Sequence, residues 1–291
     1  MRDIKVLHLE PTDVCQAACS LCLRETDKEF NKNLATHLSM EQILNVFDQE
    51  KIKQLDKMFM CGIYGDPAAG KHTLDIYQKF RQINSTVTLG MNTNGGLQNQ
   101  QWWEQLANTF NQPGDYVVFS IDGLEDTNHM YRKNVSWKKI MQNVQAFVNA
   151  GGSAHWDMLV YQHNEHQIDH CKNLAKEMKF SWFRAKVSKR PFINGLAAPS
   201  ILPVDSLITL TGNNNIIDCH ALIEKSLYID ARGQVKPCCW LGDYNTHITQ
   251  LEQVAVTWNT NSPHPVCKKS CSISGAGTVF KNQWRVEEQL C

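Results

Sequence analysis

The chain has 291 residues, enough for one large domain or one domain with a small appendage. Its 29 basic and 29 acidic side chains cancel, so no strong basic field gathers nucleic acid, and no nucleic-acid partner is expected. No apolar run approaches the ~18 residues of a membrane span, and the first residues read as a strand rather than an apolar signal segment, so no membrane partner is expected. Eleven cysteines without a signal segment point to metal ligation rather than disulfides, and to a cytoplasmic location.

Strand-like and helix-like runs alternate from the start to about residue 190. The expected strands are residues 6–10, 58–64, 87–92, 116–121, 154–161 and 182–187. They are rich in β-branched, aromatic and Met residues, as buried parallel strands are. Ser39-Met-Glu-Gln42 is a capping-box pattern that opens a helix through Ile43, Leu44 and Phe47. Further helices are expected over 73–83, 100–110, 137–150 and 165–178, and Gly151-Gly152 stops the fourth of these five. Six β units with five helical crossovers predict a parallel α/β sheet or an incomplete barrel. After Arg190-Pro191 the alternation breaks, and residues 191–217 read as a linker. A second module follows over 218–291. It holds a hairpin with its turn near Gly233 and a helix capped by Thr249-Gln-Leu-Glu252 and running through Val256.

The first strand ends in Cys15-Gln-Ala-Ala-Cys19-Ser-Leu-Cys22, a C-x3-C-x2-C loop. Three thiolates this close can hold three irons of a 4Fe–4S cluster, which normally takes four Cys ligands. The fourth iron is then open, which marks a reactive site rather than a structural one. A structural zinc loop is the alternative reading. It needs a fourth Cys or His in a paired motif, and the next candidate, His37, has no paired partner.

Three later strand ends carry polar motifs. The second strand is followed by Cys61-Gly62-Ile63-Tyr64-Gly65-Asp66-Pro67, which is also good turn chemistry. The third ends in Asn92-Thr93-Asn94-Gly95, and the fourth in Ser120-Ile121-Asp122-Gly123 followed by Tyr131-Arg132. Cys61 reads as a small buried hydrophobe, Cys171 as a helix residue, and the His166/His170 pair as a solvated helix face.

The cysteine loop and these strand ends, in this order, resemble the radical S-adenosylmethionine (radical SAM) superfamily. That resemblance implies a partial (β/α)6 TIM-like barrel over residues 1–190, with chemistry at the C-terminal ends of the strands. It implies that Cys15, Cys19 and Cys22 hold a 4Fe–4S cluster whose open iron binds SAM. One electron then splits SAM into methionine and a 5′-deoxyadenosyl radical that abstracts hydrogen from a substrate. Gly65 and Asp66 stand where the family has its glycine-glycine-glutamate motif, with Asp66 a candidate acceptor for the SAM ammonium. Asn94, Ser120 and Arg132 are further candidate SAM contacts. The family usually places an aromatic residue before the third Cys, against the adenine; here it is Leu21.

Cys219, then Gly233 and Cys238 separated by four residues, resembles the opening of SPASM and twitch domains, which append auxiliary iron–sulfur clusters to radical SAM barrels. Residues 218–291 are then a small α+β domain of that kind. A full SPASM pattern has a C-x2-C that this chain lacks. One auxiliary 4Fe–4S cluster is therefore expected, on Cys219, Cys238, Cys267 and Cys271, with Cys239 and Cys291 as alternative ligands. A closed zinc site of four thiolates is the competing reading.

Three functions are weighed. The first is an oxidoreductase acting on a peptidyl or amino-acid substrate, the auxiliary cluster taking the electron. No N-terminal leader-binding module is expected before the first strand, so the barrel itself would recognise the peptide. The second is a small-molecule dehydrogenase of twitch type, with a sugar or aminocyclitol substrate. The third is a noncatalytic iron–sulfur or zinc protein, which leaves Gly65-Asp66, Asn94-Gly95, Ser120 and Arg132 without a purpose. The first two need a one-electron donor such as flavodoxin or ferredoxin. Asp157, Tyr161, Arg184 and Lys186, near the last strand ends, are candidate substrate contacts, or else ordinary barrel filling or an ion pair.

Overall fold

The computed structural model describes residues 3–187, 196–200, 219–241, 265–271 and 289–290, without the side chains of residues 220 and 269–271. The expected helix from Thr249, most of the 191–217 linker and Cys291 lie outside the described residues. Six parallel strands come in chain order: β1 Val6–Leu9, β2 Lys57–Met60, β3 Thr88–Thr93, β4 Tyr116–Ser120, β5 Ala154–Val160 and β6 Trp182–Val187. Each neighbours the next in one sheet, of order β6-β5-β4-β3-β2-β1-β7-β8. The expected strands are all present. β2 ends at Met60, short of the expected Tyr64, because the chain there turns away to wrap a side chain of β1, as described below.

The crossovers follow the predicted signals. Helix α1 (Leu23–Thr26) grows directly from the cysteine loop. Helix α2 (Met40–Val46) starts on the Ser39/Gln42 capping box, both reciprocal bonds being made. Short α3 (Gln49–Ile52) leads into β2. The longer helices are α4 (Thr73–Ile83), α5 (Gln100–Thr109) and α7 (Trp137–Asn149), the last two opened by the side chains of Asn99 and Ser136. One-turn α6 (Asn128–Tyr131) follows β4. The expected 165–178 helix is a 3-10 turn, Glu165–Gln167, running into α8 (Ile168–Glu177).

Period-2 alternation gives the sheet two different faces. Leu7, Leu9, Met58, Met60, Leu89 and Met91 share one core with Tyr77, Phe80, Trp103 and Phe147 of the helices. Burying each such side chain contributes about 1.5–3 kcal/mol. The alternate residues face away from the helices. There His8 stacks on Phe59 at 4.3 Å and meets Tyr228 edge-on at 4.8 Å. Farther along the sheet Tyr116 stacks on His155 at 5.3 Å. Burial holds His8 down to about 4 and His155 to about 3, so both rings are neutral at pH 7.

The C-terminal segment contributes α9 (His220–Ile223), β7 (Ser226–Ile229), β8 (Val235–Lys236) and α10 (Pro265–Cys271). The expected hairpin is present, and Gly233 turns it with a positive φ of 77°. It does not stand apart. β7 lies parallel to β1 in register Val6↔Ser226 through Leu9↔Ile229, and β8 returns antiparallel to β7. At the other edge, Leu290 N–H donates to the Ser181 carbonyl at 2.9 Å. Among the described residues, no helix is long and apolar enough to cross a membrane.

One buried side chain fixes the entry to β2 and can be tested. Asn84 Nδ2 donates toward the carbonyls of Ile52, Lys53 and Leu55 at 3.0–3.2 Å, and its Oδ1 accepts from Thr86 N–H at 3.1 Å. Asn84→Ala strands these groups. It should lower unfolding free energy by about 1–3 kcal/mol in urea titrations, with an unchanged m-value.

Candidate metal and cofactor site

The cysteine loop leaves the C-terminal end of β1 and is tied down on both flanks. Asp66 N–H donates to the Val14 carbonyl at 2.9 Å, and Ala18 N–H donates to the Lys133 carbonyl at 3.1 Å. Cys22 then starts α1, its N–H bonded to the Cys19 carbonyl at 2.9 Å. Buried Arg24 holds the Asp13 carbonyl from below, and its guanidinium lies 5.3 Å from the Phe30 ring. All three cysteines are free thiols, Cys19 buried and the other two partly so.

Hydrogen-bond donors are aimed at Cys15: its Sγ receives Ala17 N–H at 3.4 Å and Asn94 Nδ2 at 3.6 Å. The positive charge of Arg132 lies near Cys19 and favours its thiolate. Burial first, then the Asp66 carboxylate, pushes the Cys15 thiol up to about 12; burial pushes Cys19 up as well, against the pull of Arg132. As free groups these thiols therefore stay protonated, and a metal must displace the protons to bind. Among the described residues no group of three or more His, Cys, Asp or Glu side chains is gathered tightly enough to hold a single metal ion. A zinc ion draws every thiolate to about 2.3 Å, whereas a cluster takes one thiolate per iron. Three free thiols with N–H groups aimed at sulfur fit the second donor pattern.

Gly65 and Asp66 follow directly. A Cβ on Gly65 would sit 1.9 Å from the Thr12 carbonyl oxygen, so the close approach it allows is to the segment between β1 and the cysteine loop. Asp66 is buried, and Oδ1 accepts Thr93 Oγ1–H at 2.7 Å and Ala68 N–H at 2.9 Å, while Oδ2 accepts Asn94 N–H at 2.7 Å. It thus joins the end of β2 to the end of β3 and to Asn94. Burial pushes its carboxyl up, opposed mainly by the Asn94 and Thr93 donors. Asn94 itself accepts Gln16 Nε2–H at 2.8 Å, which pulls the cysteine loop onto β3.

Arg132 follows α6 and is pinned. Its Nε donates to Asp122 Oδ2 at 2.6 Å, and its guanidinium lies 5.2 Å from the Tyr131 ring. Burial opposes its charge, but Asp122 and Cys19 more than offset this and hold it ionised. Asp122 also accepts Leu159 N–H at 2.7 Å, so it couples β4 to β5. Ser120 ends β4 opposite Asp157 in register. Asp157 is in an ion triad with Arg184 at 2.9 Å and Lys186 at 2.5 Å. Burial raises the Asp157 carboxyl, but Lys186 and Arg184 outweigh it and hold the group below its ordinary value. Leu21 is buried in the main core. Cys171 is buried in α8, pushed up to about 12 by burial, and Cys61 lies at the end of β2 on the face away from the helices.

In the C-terminal segment Cys219, Cys238 and Cys267 come together in one small packed group with Ala221, Leu241 and Val266. Cys271 ends α10, and its side chain is outside the described residues. Cys239 is outside that group; burial pushes its thiol far up, and the neighbouring Cys238, then Cys61 and Glu10, add to the shift.

The motif reading passed over Glu10 and Asp122, both buried acids in this rim. An acidic residue closing an apolar strand at the C-terminal edge was the available signal for each.

Comparison with known proteins agrees with this architecture. A GTP 3',8-cyclase of Psychromonas ingrahamii is 28% identical over 159 residues, which are 52% of this chain and 42% of that one. Among solved structures, Streptococcus suis SuiB bound to its precursor peptide SuiA superposes with a TM-score of 0.61 at 14% identity, covering 96% of this chain and 73% of SuiB. SuiB bound to S-adenosylmethionine matches with a TM-score of 0.57 at 14% identity, over 84% of this chain and 62% of that one. anSMEcpe with bound AdoMet and Cp18Cys peptide matches with a TM-score of 0.58 at 12% identity, over 84% and 79%. At these identities the structural matches show a shared fold. The sequence profile of the radical SAM superfamily matches residues 9–175, more than half of the chain. With its cysteine loop at the end of β1 and its ordered parallel strands, the chain belongs to the radical SAM superfamily of enzymes, whose members use a 4Fe–4S cluster and SAM.

Proposed function

We propose that this chain is a radical SAM oxidoreductase acting on a peptidyl or amino-acid substrate. One 4Fe–4S cluster would be held by Cys15, Cys19 and Cys22, and an auxiliary one by Cys219, Cys238, Cys267 and Cys271. The observation that carries this reading is the set of three free thiols at the end of β1, with Ala17 and Asn94 donating to the Cys15 sulfur and the Arg132 charge near Cys19. Such donors tune a cluster's potential and orient its ligands. When bound, the cluster supplies the electron that splits SAM and so starts the radical reaction.

The remaining work falls to this chain's side chains. Asp66 uses about three of its four acceptor sites and keeps one for the SAM ammonium. Arg132 spends Nε on Asp122 and presents its other N–H groups beside Cys19, where Ser120 and Arg132 would hold the SAM carboxylate. Leu21 would supply apolar contact for the adenine, and Asn94 would fix the loop against β3. The residue 218–291 module would route the substrate's electron onward, and flavodoxin or ferredoxin is the expected donor to the first cluster. A peptide substrate is supported by two structural relatives, SuiB with its precursor peptide and anSMEcpe with a peptide. The sequence likeness to a GTP 3',8-cyclase supports the second reading, a small-molecule substrate. Product analysis with peptide and nucleotide or sugar libraries separates the two.

Anaerobically reconstituted protein should contain about eight irons and eight sulfides per chain. About four irons with one zinc would sink the auxiliary cluster and leave the first one standing.

Replacing Arg132 by Ala alone strands the buried Asp122 carboxylate, at a cost of ~3–5 kcal/mol. The double variant Arg132→Ala/Asp122→Asn avoids that and isolates the ligand contact. It should bind SAM roughly 10- to 100-fold more weakly by calorimetry, the equivalent of ~1.5–3 kcal/mol. An unchanged affinity would show that the carboxylate sits elsewhere.

A further inference from the structure

Glu10 closes β1, five positions before the first cysteine, and is buried. Its Oε1 accepts three consecutive backbone N–H groups: Ile63 and Tyr64 at 2.7 Å each, and Gly65 at 3.1 Å. Its Oε2 accepts the Tyr228 hydroxyl of β7. Its own N–H donates to the Ile229 carbonyl at 2.9 Å. On either side of the captured amides, Cys61 N–H donates to the Leu9 carbonyl and Asp66 N–H to the Val14 carbonyl. The whole turn from 61 to 66 therefore hangs on the β1 strand and the loop after it, and its middle hangs on one carboxylate.

Both oxygens of that carboxylate are engaged, Oε1 by the three amides and Oε2 by the Tyr228 hydroxyl. Burial pushes the group up, while Tyr228 and the three amides favour the ionised form. Lys236, buried and paired with Asp230 at 3.1 Å, lies close enough to be coupled to Glu10. With both oxygens buried and engaged, Glu10 acts through the backbone it holds.

We infer that Glu10 is a positioning residue: a joint through which β7, in the C-terminal segment, sets the backbone of residues 63–65 and so places Gly65-Asp66 at the SAM site. The inference rests on the reading of Gly65-Asp66 as part of that site. The mechanism is geometric. Three amides aimed at one oxygen fix the turn's direction, and the Tyr228 hydroxyl fixes the rotation of the carboxylate that holds them. A change in the C-terminal segment that shifts β7 then reaches the SAM site without crossing the barrel.

The test uses the full reconstituted chain and three variants. Tyr228→Phe removes a single hydroxyl and touches no residue of the turn. Glu10→Gln keeps an oxygen for the amides and offers Nε2–H to the Tyr228 oxygen. Asn84→Ala loosens the sheet at a place unconnected to Glu10. Amide hydrogen exchange of the 61–66 segment is measured without SAM, and SAM affinity by calorimetry. In Tyr228→Phe the 63–65 amides should exchange about fivefold faster and SAM should bind about fivefold more weakly, the loss of one hydrogen bond. Glu10→Gln should stay within about twofold of the parent in both readouts, and Asn84→Ala should leave both unchanged. Unchanged exchange in folded Tyr228→Phe overturns the joint, as does an equal change in Asn84→Ala, which would mark general loosening. Faster exchange with unaltered SAM affinity supports the joint and overturns the placement of SAM on this turn.

Discussion

A carboxylate taken out of water must be given hydrogen bonds, or it is too costly to keep ionised. Three carboxylates are buried along the C-terminal edge of this sheet, and each meets that demand with backbone N–H groups from a neighbouring strand end. Glu10 draws in the turn after β2. Asp66, from that turn, draws in the end of β3. Asp122, after β4, draws in β5 and Arg132. The cysteine loop is seated on this rim, with Cys15 against Asp66 and Asn94 and Cys19 against Arg132. Cys15 and Cys19 therefore lie against groups that cannot move without uncovering a buried charge.

The two faces of the sheet divide the labour. The helix-facing side is aliphatic, Met-rich and continuous, and supplies the bulk of the apolar burial. The opposite side carries the histidines, tyrosines, the Asp157–Arg184–Lys186 triad and the Glu10–Tyr228 contact. A face this rich in paired polar groups is poor packing material and good lining for a chamber. The neutral state of His8 and His155 fits that setting, since an imidazolium there would have to shed its water.

Much of this was legible in the sequence. The capping box at Ser39, the Gly151-Gly152 stop and the β-rich runs carry local signals that tertiary structure had no reason to overturn. The cysteine spacing, too, is a local property, and it singled out the loop. What could not be read was long-range. Nothing near Glu10 announces that its partners are three amides beyond residue 60 and a hydroxyl at 228. Gly65 looked like a place for a ligand to approach, whereas the space its missing side chain leaves is filled by the Thr12 carbonyl. The hairpin at Gly233 was evident from its turn, but its parallel partner β1 was not, because strand pairing across so long a separation leaves no periodicity to find.

That pairing bears on how the chain reaches its fold. β1 leaves the ribosome ahead of β2 to β8, yet one of its two edges is filled only when β7 arrives more than two hundred residues later. Until then the strand that carries the cysteines toward their site presents bare N–H and C=O groups, the kind of edge that recruits other chains. Closing so large a loop is also slow compared with the local βα steps between β1 and β6. The strand that leads to Cys15, Cys19 and Cys22 thus gains one neighbour, β2, early and the other, β7, late.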